Sequence, residues 1–184
     1  MTVLVLAELD GEQVADASLR TMTLARDMGG ELDGESAEAL AVAVFTGPGA
    51  GLPATAGEQL VAHGAADVYA VEIPGYAPAA WARALAQMTE SGLAGVGPVT
   101  AVVAAATDRG SEVLAHLGAI TGEPVAANCV SARPDGAGRW ELVRQRWAGS
   151  LLEDAELEAD LALLTVAADA VPAGAARAVA AGVV

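Results

Sequence analysis

Residues 102–112 read VVAAATDRGSE, a run of small apolar residues giving way to Thr107, Asp108, Arg109 and Gly110 and then to a helical pattern. A strand that ends in a short polar turn and opens a helix is where α/β proteins hold anionic ligands. The free N–H groups and the dipole of the first helical turn point at that position. Thr107 supplies a hydroxyl, Asp108 a capping carboxylate, Arg109 a fixed cation, and Gly110 room for a ligand to approach the backbone. Two readings stand: a phosphate or adenylate site, or an Asp108 N-cap beside an exposed arginine.

Other residues with chemical capacity are scattered. Gly47-Pro48-Gly49-Ala50-Gly51 lies between a strand and a helix, as a dinucleotide-binding turn does. Its third glycine comes one position early, Leu52 stands where Gly or Ala belongs, and the acid for a ribose would be Glu72. A nicotinamide site there is the least favoured reading, against a plain turn. His63 and His116 have no second ligand at i+4, and no Cys or carboxylate pair completes a metal set, so no metal is expected. The single cysteine, Cys129, reads as a small core residue, and one thiol fits a reducing cytoplasm. No G-x-S-x-G, no Cys/His pair and no paired carboxylates mark a catalytic centre, so no catalytic residue is expected.

The bulk properties narrow the field. The 184 residues are the size of one domain, 54% hydrophobic but only 3% aromatic, so the core must be built from Ala, Val and Leu. Mean hydropathy is +0.44. Asp and Glu number 24 against 9 basic residues, a formal charge of −15 that repels both nucleic acid and an anionic membrane. All nine basic residues are arginine, which rules out a Walker P-loop, a Schiff base or a lysine general base. The N-terminus MTVLVLAELDG lacks a basic region and a cleavage site, and no apolar run approaches the ~18 residues of a membrane span. A cytoplasmic location is expected.

The elements that must position the turn follow from periodicity. Residues 3–8, 40–46, 67–73 and 99–105 read as strands; the runs VLVL and VTAVVAA lack alternation, as strands buried on both faces do. Helices follow each: one through Val14, Ala17, Thr21, Leu24 and Met28 stopped by Gly29-Gly30, one over 53–63, one opened by Pro78, and one through Val113, Leu114, Leu117 and Ile120. Four strand–helix units in series predict an α/β fold, a three-layer α/β/α sandwich on a mainly parallel sheet. The last third reads as β-rich, with strands over 125–132, 139–147, 150–157 and 161–167 and a hairpin signal at Asp135-Gly136. The acidic stretch EDAELEAD (153–160) reads as a solvated edge or turn. Residues 1–168 are expected to form the domain, and 169–184 a tail or the start of a linker.

Taken in order, VLVLAELDG, SLRTMTLARDMGG, HGAADVYAVE, VVAAATDRGSEVLAHLGAITGEPVAANCV and VRQRWAGSLLEDAELEADLALLTVAADAV resemble the N-terminal domain of electron transfer flavoprotein α subunits. ATDRGSEVLAHLGA is similar to the family's A-T-S-x-G-K/R-x-x-x-P-R-x-A. Arg144, Trp147, Ala148 and Gly149 stand where the family has R-P-x-Y-A-G-N. The resemblance implies a fold of the adenine-nucleotide α-hydrolase-like group and a heterodimer with a β subunit. It also implies FAD-mediated transfer of electrons from dehydrogenases, such as those of fatty acid β-oxidation, to a quinone reductase or another acceptor. It implies as well that the β subunit binds AMP near the turn corresponding to Thr107–Gly110, that the α domain keeps only a vestige of that turn, and that FAD is held mainly by a C-terminal S-G-G-R-G domain.

Within the matched motifs, Asp108 replaces a Ser, His116 lies near the family's Pro-Arg, Gln145 replaces a Pro and Ser150 an Asn. The chain ends at Val184, where the flavin domain would begin, so a separate or deleted FAD domain is expected, and no cofactor for this chain alone. The expected function is a scaffold and partner-docking domain, with Arg144, Arg146 and Trp147 as the docking surface, since arginine and aromatics favour interfaces. Packing of that strand within the domain is the competing reading. A stand-alone AMP- or ATP-binding module is the alternative function, and a homo-oligomer is possible in isolation.

Overall fold

The computed structural model describes residues 2–28, 40–93, 97–135, 138–172 and 174. In chain order they form β1 (Thr2–Ala7), β2 (Leu9–Asp10), β3 (Gln13–Val14), α1 (Asp16–Met28), β4 (Leu40–Thr46), α2 (Ala54–Ala62), β5 (Ala65–Glu72), α3 (Pro78–Ser91), β6 (Val99–Ala105) and α4 (Asp108–Thr121). Then come β7 (Val125–Pro134), β8 (Arg139–Arg146), β9 (Leu151–Glu158), β10 (Ala162–Val166) and a 3-10 turn at Ala168–Ala170.

Eight strands make one sheet in the order β5-β4-β1-β6-β10-β7-β8-β9. The first six positions are parallel, with Val3 opposite Leu40 on one side of β1 and Leu6 opposite Ala104 on the other. Every residue of β1 and β4 is buried, which explains their unbroken apolar sequence: helices cover both faces. Val3, Val5, Val42 and Val44 face a cluster completed by Met22, Leu24 and Met28 of α1 and Ala56 and Leu60 of α2. Leu4, Leu6, Ala41 and Ala43 face the opposite cluster, with Trp81 and Leu85 of α3 and Val113, Leu114 and Leu117 of α4. The three-layer α/β reading therefore holds.

The last third departs from the parallel pattern. β8 runs antiparallel to both β7 and β9, forming a ribbon that extends the sheet, and β10 returns to insert between β6 and β7. β7 bends at Asn128, where φ is +58 and the register with β8 slips between Cys129 and Ser131. Trp140, Leu142 and Leu157 bury one face of the ribbon. The acidic stretch lies largely on β9, the sheet's edge strand, where its charges oppose edge-to-edge pairing.

Sequence boundaries shift by one or two residues, and one element went unread: β2 and β3 form a small hairpin around Gly11, whose φ is +62. The expected helix stop at Gly29-Gly30, Gly136 of the hairpin signal and most of the expected tail lie outside the described residues.

Candidate functional site

The strand order reverses at β1. The chain leaves β1 for β4 on one side and β5 on its outer edge, then crosses back through α3 to β6 on the other. The crevice between the carboxyl ends of β1 and β6 is thus the switch point at which open α/β sheets bind ligands. Glu8 follows β1 there, and Thr107 follows β6.

Thr107 is the N-cap of α4, with extended backbone (φ −78, ψ 168), and its Oγ1 accepts the N–H of Gly110 at 3.0 Å. The same hydroxyl donates to Oε1 of Glu8. Glu8 is itself fixed by the backbone. Its N–H donates to Ser18 Oγ at 2.9 Å, and its carbonyl accepts from Ala15 at 2.9 Å. The helix cap expected at Asp108 is thereby corrected to Thr107. Asp108 is the exposed first helical residue, where its charge complements the helix dipole.

Gly110 also has a different task from the expected one. It is buried, and a Cβ placed on it would lie 2.1 Å from the carbonyl oxygen of Ala105. The missing side chain lets α4 start hard against its own strand, a close approach of helix to strand.

Arg109 is exposed, but its guanidinium lies 5.4 Å from the centroid of the Tyr76 ring. Tyr76 donates its hydroxyl to Glu112 Oε2 at 2.6 Å and meets Trp81 edge-on at 5.3 Å. Trp81 stacks on Phe45 at 4.4 Å. Burial, then the hydrogen bond and charge of Glu112, push the Tyr76 hydroxyl up to about 12. The connection between β5 and α3 is in this way stapled onto the first turn of α4. Trp81 Nε1 and Thr46 Oγ1 are buried without a hydrogen-bond partner among the described residues.

Thr107, Asp108, Arg109 and Gly110 are therefore together, but as a helix start. The threonine hydroxyl is used twice, the arginine lies over a tyrosine, and the Glu8 carboxylate occupies the strand end. An anion approaching this turn would meet the carboxylates of Glu8 and Asp108 as well as the guanidinium of Arg109. Glu8 and Tyr76 were not singled out from sequence. The available signal was an acid closing a fully buried strand, in VLVLAELDG.

The glycine loop at 47–51 follows β4, two strand spacings or about 10 Å from β6. It is exposed, with Gly49 at φ +71 and Gly51 at φ +63, and Glu72 is exposed at the end of β5. His63 ends α2 with Nδ1 2.8 Å from the Gln59 carbonyl, and His116 is exposed on α4. Cys129 is buried, and its thiol is pushed up to about 11 by that burial against the opposing effect of Arg144. Among the described residues no three of His, Cys, Asp and Glu converge as a metal-binding group, and no helix is long and apolar enough to cross a membrane.

At the β8–β9 turn, Arg144 donates to the Ala127 carbonyl at 3.0 Å and lies 3.8 Å from Glu153. Arg146 donates to Glu153 at 2.8 Å. Trp147 is 81% exposed, beside Leu151 at 55% and Leu152 at 68%. The strand around Arg144 packs into the sheet, while the turn after it stands in solvent.

The class the fold defines is a doubly wound α/β domain with a mainly parallel sheet, extended by an antiparallel ribbon. The chain matches the model of the electron transfer flavoprotein domain family over residues 3–184, and it belongs to that family. No curated protein matches the chain. Members of the family are FAD-associated electron carriers that work in heterodimeric complexes.

Proposed function

We propose that the chain is the N-terminal domain of an α-type subunit, a scaffold that docks a β subunit and supports a flavin held by a separate domain. It has no catalytic residues of its own. Electrons pass from dehydrogenases to an acceptor through FAD, and Arg144, Arg146 and Trp147 belong to the docking surface. The observation that carries the α-type reading is the bond between Thr107 and Glu8. The resemblance to α subunits implies that AMP belongs to the partner β subunit, near the corresponding turn; here a carboxylate is fixed against that turn.

Calorimetry with AMP and ATP tests this reading. No heat of binding is expected up to millimolar nucleotide. Micromolar affinity would make the chain a β-type or stand-alone adenine-nucleotide module. The purified chain is expected to be colourless, and stoichiometric flavin on it would contradict the scaffold reading.

A further inference from the structure

Only three non-glycine residues among those described have positive φ: Asn128 (+58), Trp147 (+51) and Ala148 (+50). All three line one surface hollow, together with Gln145, Arg146, Gly149 and Asp169. Left-handed backbone is uncommon for a bulky residue and costs stability; Asn, Asp or Gly is what such a hairpin turn ordinarily carries. Trp147 recovers little by burial, since four-fifths of it is in solvent. Ser150 closes the turn, its N–H and Oγ both donating to the Trp147 carbonyl at 3.1 and 2.7 Å. An indole is thus held on left-handed backbone, with little burial, at the tip of an edge ribbon. On its other side Leu151 and Leu152 line a second hollow with Arg146 and Glu153.

We infer that Trp147 is the anchor by which this chain enters an apolar slot on the β subunit, an inference that rests on the docking role proposed above. Tryptophan displayed singly within an apolar patch has the composition of an interface hot spot. The charges beside it specify the rim of that slot. Arg146 spends its Nε on Glu153, and its two terminal nitrogens have no partner among the described residues. In a chain of formal charge −15, a guanidinium with open donors next to an exposed indole calls for a carboxylate or main-chain carbonyl on the partner. The occupant is therefore a protein surface with an apolar slot flanked by an acceptor.

The test uses the full chain and the purified β subunit of the source organism, with affinity read by sedimentation and chain stability by thermal unfolding. Trp147→Gly relieves the backbone and removes the indole. It is expected to raise the unfolding temperature of the free chain and weaken the complex at least about tenfold. Ala148→Gly relieves the neighbouring backbone and keeps the indole, so it is expected to raise the unfolding temperature and leave affinity within about twofold. Equal affinity of Trp147→Gly and the parent chain overturns the inference and leaves the docking role standing. Failure of the parent chain to bind the β subunit overturns both. A parent chain that is itself a dimer, dissociated by Trp147→Gly, makes the occupant a second copy and also overturns the inference.

Discussion

The hydroxyl of Thr107 donates to the carboxylate of Glu8 while accepting the N–H of Gly110, so one side chain ties the ends of two neighbouring parallel strands to the start of α4. Thr107→Ala removes the cap and leaves Glu8 without this donor. The cap alone is worth about 1 kcal/mol, and the full change is expected to cost about 1–2 kcal/mol. For a chain of this size that lowers the unfolding temperature by about 2–4 °C per kcal/mol. Thr107→Ser, which keeps the hydroxyl, is expected to recover most of the loss. Glu8→Ala should cost less than Thr107→Ala, because the cap survives it; the reverse order in denaturant unfolding would separate the cap from the bond.

Gly110→Ala should be among the most damaging small substitutions in the chain. The added methyl would lie 2.1 Å from the Ala105 carbonyl oxygen, a backbone atom of a buried strand that cannot move aside cheaply. At Gly118 the corresponding contacts are 2.9 Å to the Glu123 carbonyl and 2.9 Å to Val125 Cγ2, where the helix end has more freedom to shift. A loss above ~3 kcal/mol is expected at Gly110, and ~1–3 kcal/mol at Gly118. Urea unfolding of the two variants, or insolubility of the first alone, checks the order.

The layered architecture was readable because its signals are local. VLVL and VTAVVAA have no alternation since both their faces are covered, and Leu114 and Leu117 recur at helical spacing since one face of α4 is. The site was half readable for the opposite reason. Threonine and aspartate are both good caps, and only the actual backbone decides that Thr107 is the extended residue and Asp108 the first helical one. Glu8 and Thr107 are 99 residues apart, and Tyr76 reaches Glu112 across 36. Such pairs follow from strand order, which a single sequence does not display. The cost held at Trp147 is likewise a backbone property, invisible in the letters RQRWAGS.

The staple over α4 gives a prediction of its own. Tyr76→Phe keeps the ring under Arg109 and against Trp81 but deletes the hydrogen bond to Glu112. A loss of about 0.5–1.5 kcal/mol is expected. Tyr76→Ala also removes the ring contacts and should cost more, while shifting the emission of Trp81, which loses an edge-on neighbour. An unchanged Trp81 signal in the alanine variant would place the ring elsewhere in solution.

Alkaline pH should unfold the chain by a route that Cys129 explains. Its thiol is raised to about 11 by burial, whereas in the unfolded chain it titrates near its ordinary value. The folded state therefore holds a proton that the unfolded state releases. The associated stability is fully present below the unfolded value and is lost as pH rises from about 9 towards 11, at about 1.4 kcal/mol per pH unit and on the order of 2–3 kcal/mol in all. Tyr76 is raised in the same sense but is 41% exposed, so solvent screening keeps its share small. Cys129→Ala removes the linkage. It is expected to be somewhat less stable at pH 7, where the loss of a buried sulfur leaves a small cavity, yet to show a flatter decline between pH 9 and 10.5. Urea unfolding across that range decides the matter. A variant with the same slope as the parent would move the alkaline transition to other groups, and a thiol that reacts with a disulfide reagent in the native chain at pH 8 would contradict its burial.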